Sequence, residues 1–377
     1  MSVLPSYERW GDLSGARVLV RVDFNVPVEV VGGNVEVTDD FRIRAAVPLF
    51  ESLLERGATV VACTHFGRPK GRVVEQWRVE PLRQRLHELC PDVALMENLR
   101  FHPGEEANDR AFGESLIAGF NYYINEAFGA SHRAHASIMV PPTVVPSAAG
   151  PNLAHEVATL QTLIDGPARP FVAIVGGAKV ADKLGIVGVL SHRADTVLVG
   201  GGMAYTFEVT QGRTIGSSLF NAASLDECAS LLAQGNVMIP VDSRGLRDGA
   251  VIGGGGGPDP AIDFGANIPE GHEGYDIGPL TIEQFRQVID VAATILWNGP
   301  MGVFEDPRFM AGTEAVARAV ASSGAFSIVG GGDSVSALKM LGLEDSVGFV
   351  STGGGASLEF VELGDLPGLK ALRESTQ

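Results

Sequence analysis

The chain has 377 residues, 45% of them hydrophobic and 19% charged, and a formal net charge of −17. That length allows two or three domains with cores of their own. The negative balance argues against nucleic acid as a partner, because phosphate backbones bind basic fields. No apolar run approaches the roughly 20 residues of a membrane span, so no membrane partner is expected either. Cys63, Cys90 and Cys228 are odd in number and lack metal-ligand spacing, which reads as buried free thiols in a reducing compartment. With no basic-then-apolar leader at the start, the expected location is cytoplasmic. Charge is uneven: residues 1–150 carry 15 Lys+Arg against 19 Asp+Glu, the remainder 13 against 26. The first part can therefore host an anionic small molecule inside an acidic protein.

Strand-like apolar runs alternate with helical patterns, the signature of parallel α/β architecture. In the first half, strands are predicted over 17–23, 59–63, 93–96 and 122–125, with helices over 45–55 and 79–89. The strand ends carry the chemistry. Asp23-Phe-Asn25 follows the first strand and precedes Arg42. Thr64-His65-Phe-Gly-Arg68 follows the second, Glu97-Asn-Leu-Arg100 the third, and Glu126 to His132-Arg133 the fourth. Arginine forks grip phosphate and carboxylate in pairs of hydrogen bonds, so Arg42, Arg68, Arg100 and Arg133 with His65 point to a phospho-acid site. Asp23 and Asn25 suit hydroxyls beside it. His102 and His135 read as structural, since no zinc-type spacing or cysteine accompanies them.

The proline-rich segment 139–151 has no period and reads as a domain boundary, followed by a helix over 153–164. In the second half, strands are predicted over 171–175, 196–199, 237–241, 293–297 and 326–329, and helices over 281–292 and 312–322. Lysine occurs at only five positions, and two of them, Lys179 and Lys183, lie four apart just after Gly176-Gly177. That spacing predicts strand, glycine turn and helix start, with both ammonium groups on one helix face toward an anion. Further glycine turns follow strands at Gly200-Gly-Gly202, Asn298-Gly-Pro300, Gly330-Gly-Gly332-Asp333-Ser334 and Gly353-Gly-Gly355. Backbone amides in such turns can cradle a polyphosphate. Asp333 is a suitable oxygen ligand for a largely hydrated Mg²⁺, and Glu305 can take ribose hydroxyls. Gly253–Gly257 is a run of five glycines read as a flexible loop without a role. No repeat of 20–50 residues is visible.

There is no Walker sequence, protein-kinase set or nucleophile elbow. The residues suggest phosphoryl transfer between a phospho-acid held by one half and a nucleotide held by the other, which needs positioned charge more than a covalent group.

Across its length the sequence resembles the phosphoglycerate kinase family. The resemblance rests on Arg21-Val-Asp-Phe-Asn-Val-Pro27, His65-Phe-Gly-Arg-Pro69, Glu97-Asn-Leu-Arg-Phe-His102, His132-Arg-Ala-His135, Gly176–Lys183, Gly200–Thr206, Trp297–Glu305, Gly330–Ser334 and Ser351–Glu359, in the family's order. It implies two Rossmann-like parallel-sheet domains of three αβα layers, joined by a hinge around a central cleft. By this division residues 1–152 bind phosphoglycerate, 153–169 form an interdomain helix and hinge, 170–350 bind nucleotide, and 351–377 return to the first domain. The implied reaction passes the acyl phosphate of 1,3-bisphosphoglycerate to MgADP, on small-molecule substrates, by a monomer. Asp23, Asn25, Arg42, His65, Arg68, Arg100 and Arg133 would hold the phosphoglycerate. Arg42, Lys179 and Lys183 would be catalytic, the first two on the migrating phosphoryl group and Lys183 on the nucleotide phosphates. Gly177, Ala178, Gly201, Asn298, Pro300 and Glu305 would border the nucleoside. Asp333 would serve Mg²⁺, and Gly331, Gly332, Ser334, Gly353, Gly354 and Gly355 would line the phosphate path. Domain closure would hinge on 139–170 and 345–357 and exclude water from the acyl phosphate.

Glu126 stands where the family usually has aspartate, and Gly348-Phe349 where Ser-His is common. The segment 149–155 and the glycine run also depart from the pattern. Two other readings remain: a nicotinamide oxidoreductase, whose Gly-x-Gly-x-x-Gly fingerprint Gly200-Gly-Gly-Met-Ala-Tyr205 does not supply, and a non-catalytic relative of the kinase.

Overall fold

The computed structural model describes residues 3–32, 34–253 and 255–375. The ends of the segments 1–152 and 351–377, and Gly254 within the glycine run, thus lie outside the described residues. Two compact units result. One comprises 1–159 with 363–377, the other 160–362.

The first unit is built on a parallel sheet in the order Ala94–Leu95, Thr59–Cys63, Arg17–Arg21, Tyr122–Asn125, Ser147–Ala149. Val18, Val20, Val60 and Ala62 on these strands pack with Phe50, Leu53, Leu82 and Leu86 of the helices Phe41–Glu55 and Glu80–Leu89. Both faces of such a sheet are covered, so its strands read as continuous apolar runs.

The second unit carries a six-stranded parallel sheet in the order Val237–Met238, Thr196–Val199, Phe171–Val175, Thr294–Asn298, Phe326–Gly330, Phe349–Val350. Numbered along the chain that order is 3-2-1-4-5-6, the dinucleotide-fold order. The first sheet has the same order without the last strand. In both sheets the strand order reverses between the first and fourth strands, the point at which such folds open a crevice outside the carboxyl ends. That places the two crevices beside Arg21 and Asn125 in one unit and beside Val175 and Asn298 in the other. Trp297, Phe285, Ile289 and Val316 lie in the core behind the second crevice.

Three elements differ from expectation. The segment 139–151 is no loose connector. Ser147–Ala149 is buried and pairs with Tyr123–Asn125 as the edge strand of the first sheet. The helix Pro151–Asp165 then begins in one unit and ends in the other. Second, an antiparallel sheet of Ser243–Arg247, Ile262–Phe264 and His272–Ile277 interrupts the βα alternation. Its strands carry charge and glycine, with a register shift at Gly245, so they give no apolar run. Third, the helix Phe41–Glu55 starts four residues earlier than its apolar period, which puts Arg42 in its first turn.

Candidate active site

Around the first crevice the polar side chains form a bonded set. Arg21 is fully buried, and its Nε donates to Ser137 Oγ at 3.0 Å. Ser137 Oγ donates in turn to Glu105 Oε1 at 2.7 Å, and its amide donates to Oε2 at 2.9 Å. Another arm of Arg21 lies 3.1 Å from His65 Nδ1, and His65 Nε2 lies 3.9 Å from Asp23 Oδ1. Arg42 closes on Asp23 at 3.0 Å. Burial alone would raise the Asp23 pKa, but the Arg42 guanidinium, with Arg21 behind it, holds the carboxyl below its ordinary value. Burial pushes His65 well below the usual histidine range, with Arg21 and Arg100 adding to it. Its ring is therefore a neutral hydrogen-bonding group at pH 7.

Asn25 Oδ1 accepts from the Gly67 amide at 2.9 Å, and Arg100 donates to the Gly67 carbonyl at 2.9 Å. The turn that carries Arg68 is thus pinned from both sides. Arg68 is exposed and makes no hydrogen bond or ion pair with the described residues. Arg133 is exposed too, its Nε 3.1 Å from His132 Nε2. Buried nitrogens without a hydrogen-bond partner gather here: Arg100 Nε, His132 Nδ1 and His135 Nδ1. Burial first, then Arg100, pushes His135 down to about 4. The neutral His135 ring lies beside buried Glu105, its Nδ1 3.8 Å from Oε1.

In the second unit Lys183 Nζ donates to the Gly176 carbonyl at 2.6 Å and to Asn298 Oδ1 at 2.8 Å. One ammonium thereby joins the ends of the first and fourth strands, at the reversal point. The Asn-Gly-Pro turn can approach because residue 299 is glycine: a Cβ there would lie 2.2 Å from the Gly176 carbonyl oxygen. Burial pushes Lys183 down to about 8, against the opposing pull of Asp333. The expected helical face of two lysines does not form. Residues 176–183 are coil and turn, and the helix begins at Leu184 with Lys183 as its N-cap. Lys183 is drawn inward by the carbonyls at the strand ends, whereas Lys179 is exposed and unpaired among the described residues.

A cavity of about 210 Å³ opens beside Lys179, lined by Ala178, Gly202, Thr206, Leu219, Phe220 and Asn221, among others. Gly201 lies next to it in the chain. Pro300, one residue past Gly299, presents its carbonyl toward Gly176 and Gly201. Glu305 is exposed in the segment that follows. The helix Gly332–Leu341 starts after Gly331 with Asp333 exposed in its first turn. Buried Ser334 Oγ accepts from the Gly299 amide at 2.6 Å. Gly353 donates to Ser351 Oγ at 3.2 Å, and Gly354 and Gly355 lead into the helix Gly355–Leu363. These amides at helix starts favour anions.

The family model described as phosphoglycerate kinase matches residues 9–93 and 91–363. The chain belongs to the phosphoglycerate kinase family. A phosphoglycerate kinase of Rubrobacter xylanophilus is 47% identical over 395 aligned positions, covering 96% of this chain and 97% of the relative. One from a Parafrankia species is 43% identical, with 96% and 98% covered. Among solved structures, phosphoglycerate kinase from Coxiella burnetii aligns with a TM-score of 0.86 at 33% identity, covering 98% of this chain and 99% of that one. The enzyme from Pyrococcus horikoshii aligns at 0.83 and 28% identity, with 98% of each chain covered.

For this member of the phosphoglycerate kinase family, sequence reasoning missed the buried support. Arg21 carried a signal, a charge inside an apolar strand, but Glu105 and Ser137 carried none, because their partners are 116 and 32 residues away. Leu219 and Phe220 could have been noticed as large apolar residues in a polar stretch. Both are about half exposed, at 51% and 49%.

Proposed function

We infer that the chain catalyses reversible, Mg²⁺-dependent transfer of the acyl phosphate of 1,3-bisphosphoglycerate to ADP, giving ATP and 3-phosphoglycerate. The observation that carries this reading is the contrast between two lysines at one crevice: Lys183 tied down at the strand ends and Lys179 exposed and unpaired. A transferring phosphoryl group spreads charge over its oxygens, and catalysis is mostly positioned positive charge. Lys179 and Arg42 meet that charge, while Lys183 holds the nucleotide phosphates.

In the first unit Asp23 and Asn25 take hydroxyls of the phosphoglycerate, and His65, Arg68, Arg100 and Arg133 take its phosphate and carboxylate. The Asp23–Arg42 pair sets the guanidinium in place before substrate arrives. In the second unit the nucleoside lies against Gly177, Ala178, Gly201, Asn298 and Pro300, with its ribose at Glu305. Its phosphates run over the amides of Gly331, Gly332, Asp333 and Ser334 and of Gly353, Gly354 and Gly355.

Among the described residues no group of three or more His, Cys, Asp or Glu side chains is placed to hold a metal. A single exposed carboxylate at Asp333 suits a largely hydrated Mg²⁺ that arrives with the nucleotide. The ion would supply charge neutralisation between phosphates. Three buried free cysteines support a reducing, cytoplasmic setting. No described helix is long and apolar enough to cross a membrane.

The test is a coupled assay with 3-phosphoglycerate, MgATP, glyceraldehyde-phosphate dehydrogenase and NADH, beside a control without the coupling enzyme. NADH loss that needs all components is the expected result. Loss in the control would indicate an oxidoreductase, and silence in both from folded protein that binds MgATP would indicate a non-catalytic relative.

A further inference from the structure

Arg21 ends the strand Arg17–Arg21 fully buried, and each of its guanidinium nitrogens has a partner. Nε donates to Ser137 Oγ at 3.0 Å, one Nη to the Val22 carbonyl, and the other reaches His65 Nδ1 at 3.1 Å. Ser137 lies in the short helix Ala136–Met139 and Glu105 in the short helix Pro103–Glu106. The Ser137 hydroxyl accepts from Arg21, so its own proton goes to Glu105 Oε1, 2.7 Å away. The Tyr123 hydroxyl fixes the same serine by donating to its carbonyl at 2.8 Å. Ser137, Glu105 and Tyr123 are all fully buried. Glu105 is thus a carboxylate bonded, one serine away, behind a buried guanidinium that needs a countercharge.

These bonds run in one direction. A guanidinium has donors only, so His65 Nδ1 accepts, and the proton of the neutral ring sits on Nε2. Burial keeps the ring neutral, with Asp23 opposing and Arg21, Arg100 and His135 reinforcing it. Nε2 lies 3.9 Å from Asp23 Oδ1, too far for a hydrogen bond. The Asp23 carboxylate is engaged by Arg42 at 3.0 Å. Beside that ion pair, Nε2–H is a donor without an acceptor among the described residues.

We propose that Ser137 and Glu105 are positioning residues that, through Arg21, lock His65 in its Nε2–H form as a fixed donor to an anionic oxygen of the phospho-acid. The proposal rests on the reading of His65 as a substrate residue. The ligand chemistry follows from the donor: a proton held on Nε2 bonds a carboxylate or phosphate oxygen and cannot accept from a substrate hydroxyl. Without Ser137 the buried Arg21 Nε loses its acceptor, the guanidinium turns to other partners, and Nδ1 loses its bond.

The experiment combines histidine ¹⁵N NMR of the full chain at pH 7 with steady-state kinetics in both substrates. The proteins are wild type, Ser137→Ala, His65→Ala and the double variant. The wild-type resonances that vanish in His65→Ala should report a protonated Nε2 and an unprotonated Nδ1. The reverse tautomer or a doubly protonated ring overturns the proposal. In Ser137→Ala the Nδ1 resonance should move toward that of a ring nitrogen without a hydrogen bond, and an unmoved resonance counts against it. Ser137→Ala should raise KM for 3-phosphoglycerate roughly tenfold, the scale of one hydrogen bond to a charged group, and leave KM for MgATP within about twofold. In the His65→Ala background the same substitution should change KM for 3-phosphoglycerate by less than about twofold, because groups that act through one another are not additive. A merely structural role would give the same effect in both backgrounds, or raise both KM values, and either result sinks the proposal. If Ser137→Ala does not fold, Glu105→Gln takes its place in the cycle and is judged by the same outcomes. A raised KM in His65→Ala with an additive cycle defeats the proposal and spares the substrate reading of His65. An unchanged KM for 3-phosphoglycerate in His65→Ala defeats that reading and the proposal with it.

Discussion

Lys183 Nζ and Asn298 Oδ1 lie 2.8 Å apart, across 115 residues of sequence. The bond places an ammonium where the second sheet reverses strand order, with the Gly176 carbonyl as its other close partner. The geometry has a consequence for protons. Burial lowers the Lys183 pKa from 10.5 to about 8, so near pH 8 about half of the free protein carries the charge. Bound phosphates favour the charged form and raise that pKa again. Binding of MgADP at pH 8 should therefore take up roughly half a proton, and almost none at pH 6.5. Calorimetry in two buffers of different ionisation enthalpy reads this directly. Equal heats at pH 8 would remove Lys183 from the phosphates.

Lys179 should separate chemistry from stability. Its side chain is exposed and has no bond to lose among the described residues. We expect Lys179→Ala to keep its melting temperature and its nucleotide affinity while kcat falls by about 10²–10³, the scale of one lost transition-state donor. Near-normal turnover would refute the assignment.

Arg133 should separate the two ligands. It is exposed, with His132 as its hydrogen-bond neighbour. Arg133→Ala should weaken 3-phosphoglycerate binding by roughly one to two orders of magnitude, the value of a charged hydrogen bond or two, and leave MgADP binding unchanged. Equal losses for both ligands by calorimetry would contradict a division of labour between the units.

Glu126 makes stability depend on pH. Its Oε1 accepts from the Asn152 amide at 3.2 Å and side chain at 2.7 Å, and its Oε2 accepts from the Leu153 amide at 3.2 Å. It thereby anchors the start of the helix Pro151–Asp165. Burial nevertheless raises its pKa from 4.5 to about 7, the amides of Leu153 and Asn152 pulling the other way. A carboxyl raised on folding contributes stability that is full below its unfolded pKa and is lost as pH climbs through 7. Glu126→Gln lacks that ionisation. From pH 4.5 to 7.5 the wild type should lose on the order of 3 kcal/mol relative to the variant, whatever the constant difference between them. Urea unfolding of both across that range tests it, and a flat difference would show that Glu126 does not titrate in the fold.

Part of the architecture was legible because it is local. The strands at 59–63, 122–125, 171–175 and 196–199 are continuous apolar runs between turn residues, and they occupy those positions in the fold. The arginines and glycines at strand ends follow from one rule, that open parallel sheets put ligands beyond their carboxyl ends. The family resemblance then supplied substrates that no periodicity contains. Less was legible where polar or broken runs form sheet. The strands 243–247, 262–264 and 272–277 have charged residues and glycines in place of an apolar pattern, and Ser147–Ala149 hides in a proline-rich stretch.

The sequence by itself determined the element types, the alternation that makes parallel sheets, and which residue types end each strand, because propensity and pattern act over a few neighbouring residues. Only the tertiary structure decided which of those residues meet. It turned Lys183 inward and left Lys179 outside, when spacing alone put both on one helix face. It buried Arg21 against Ser137 and, through Ser137, Glu105. A buried charge is kept by a partner brought from elsewhere in the chain, and that partner has no mark in the local sequence.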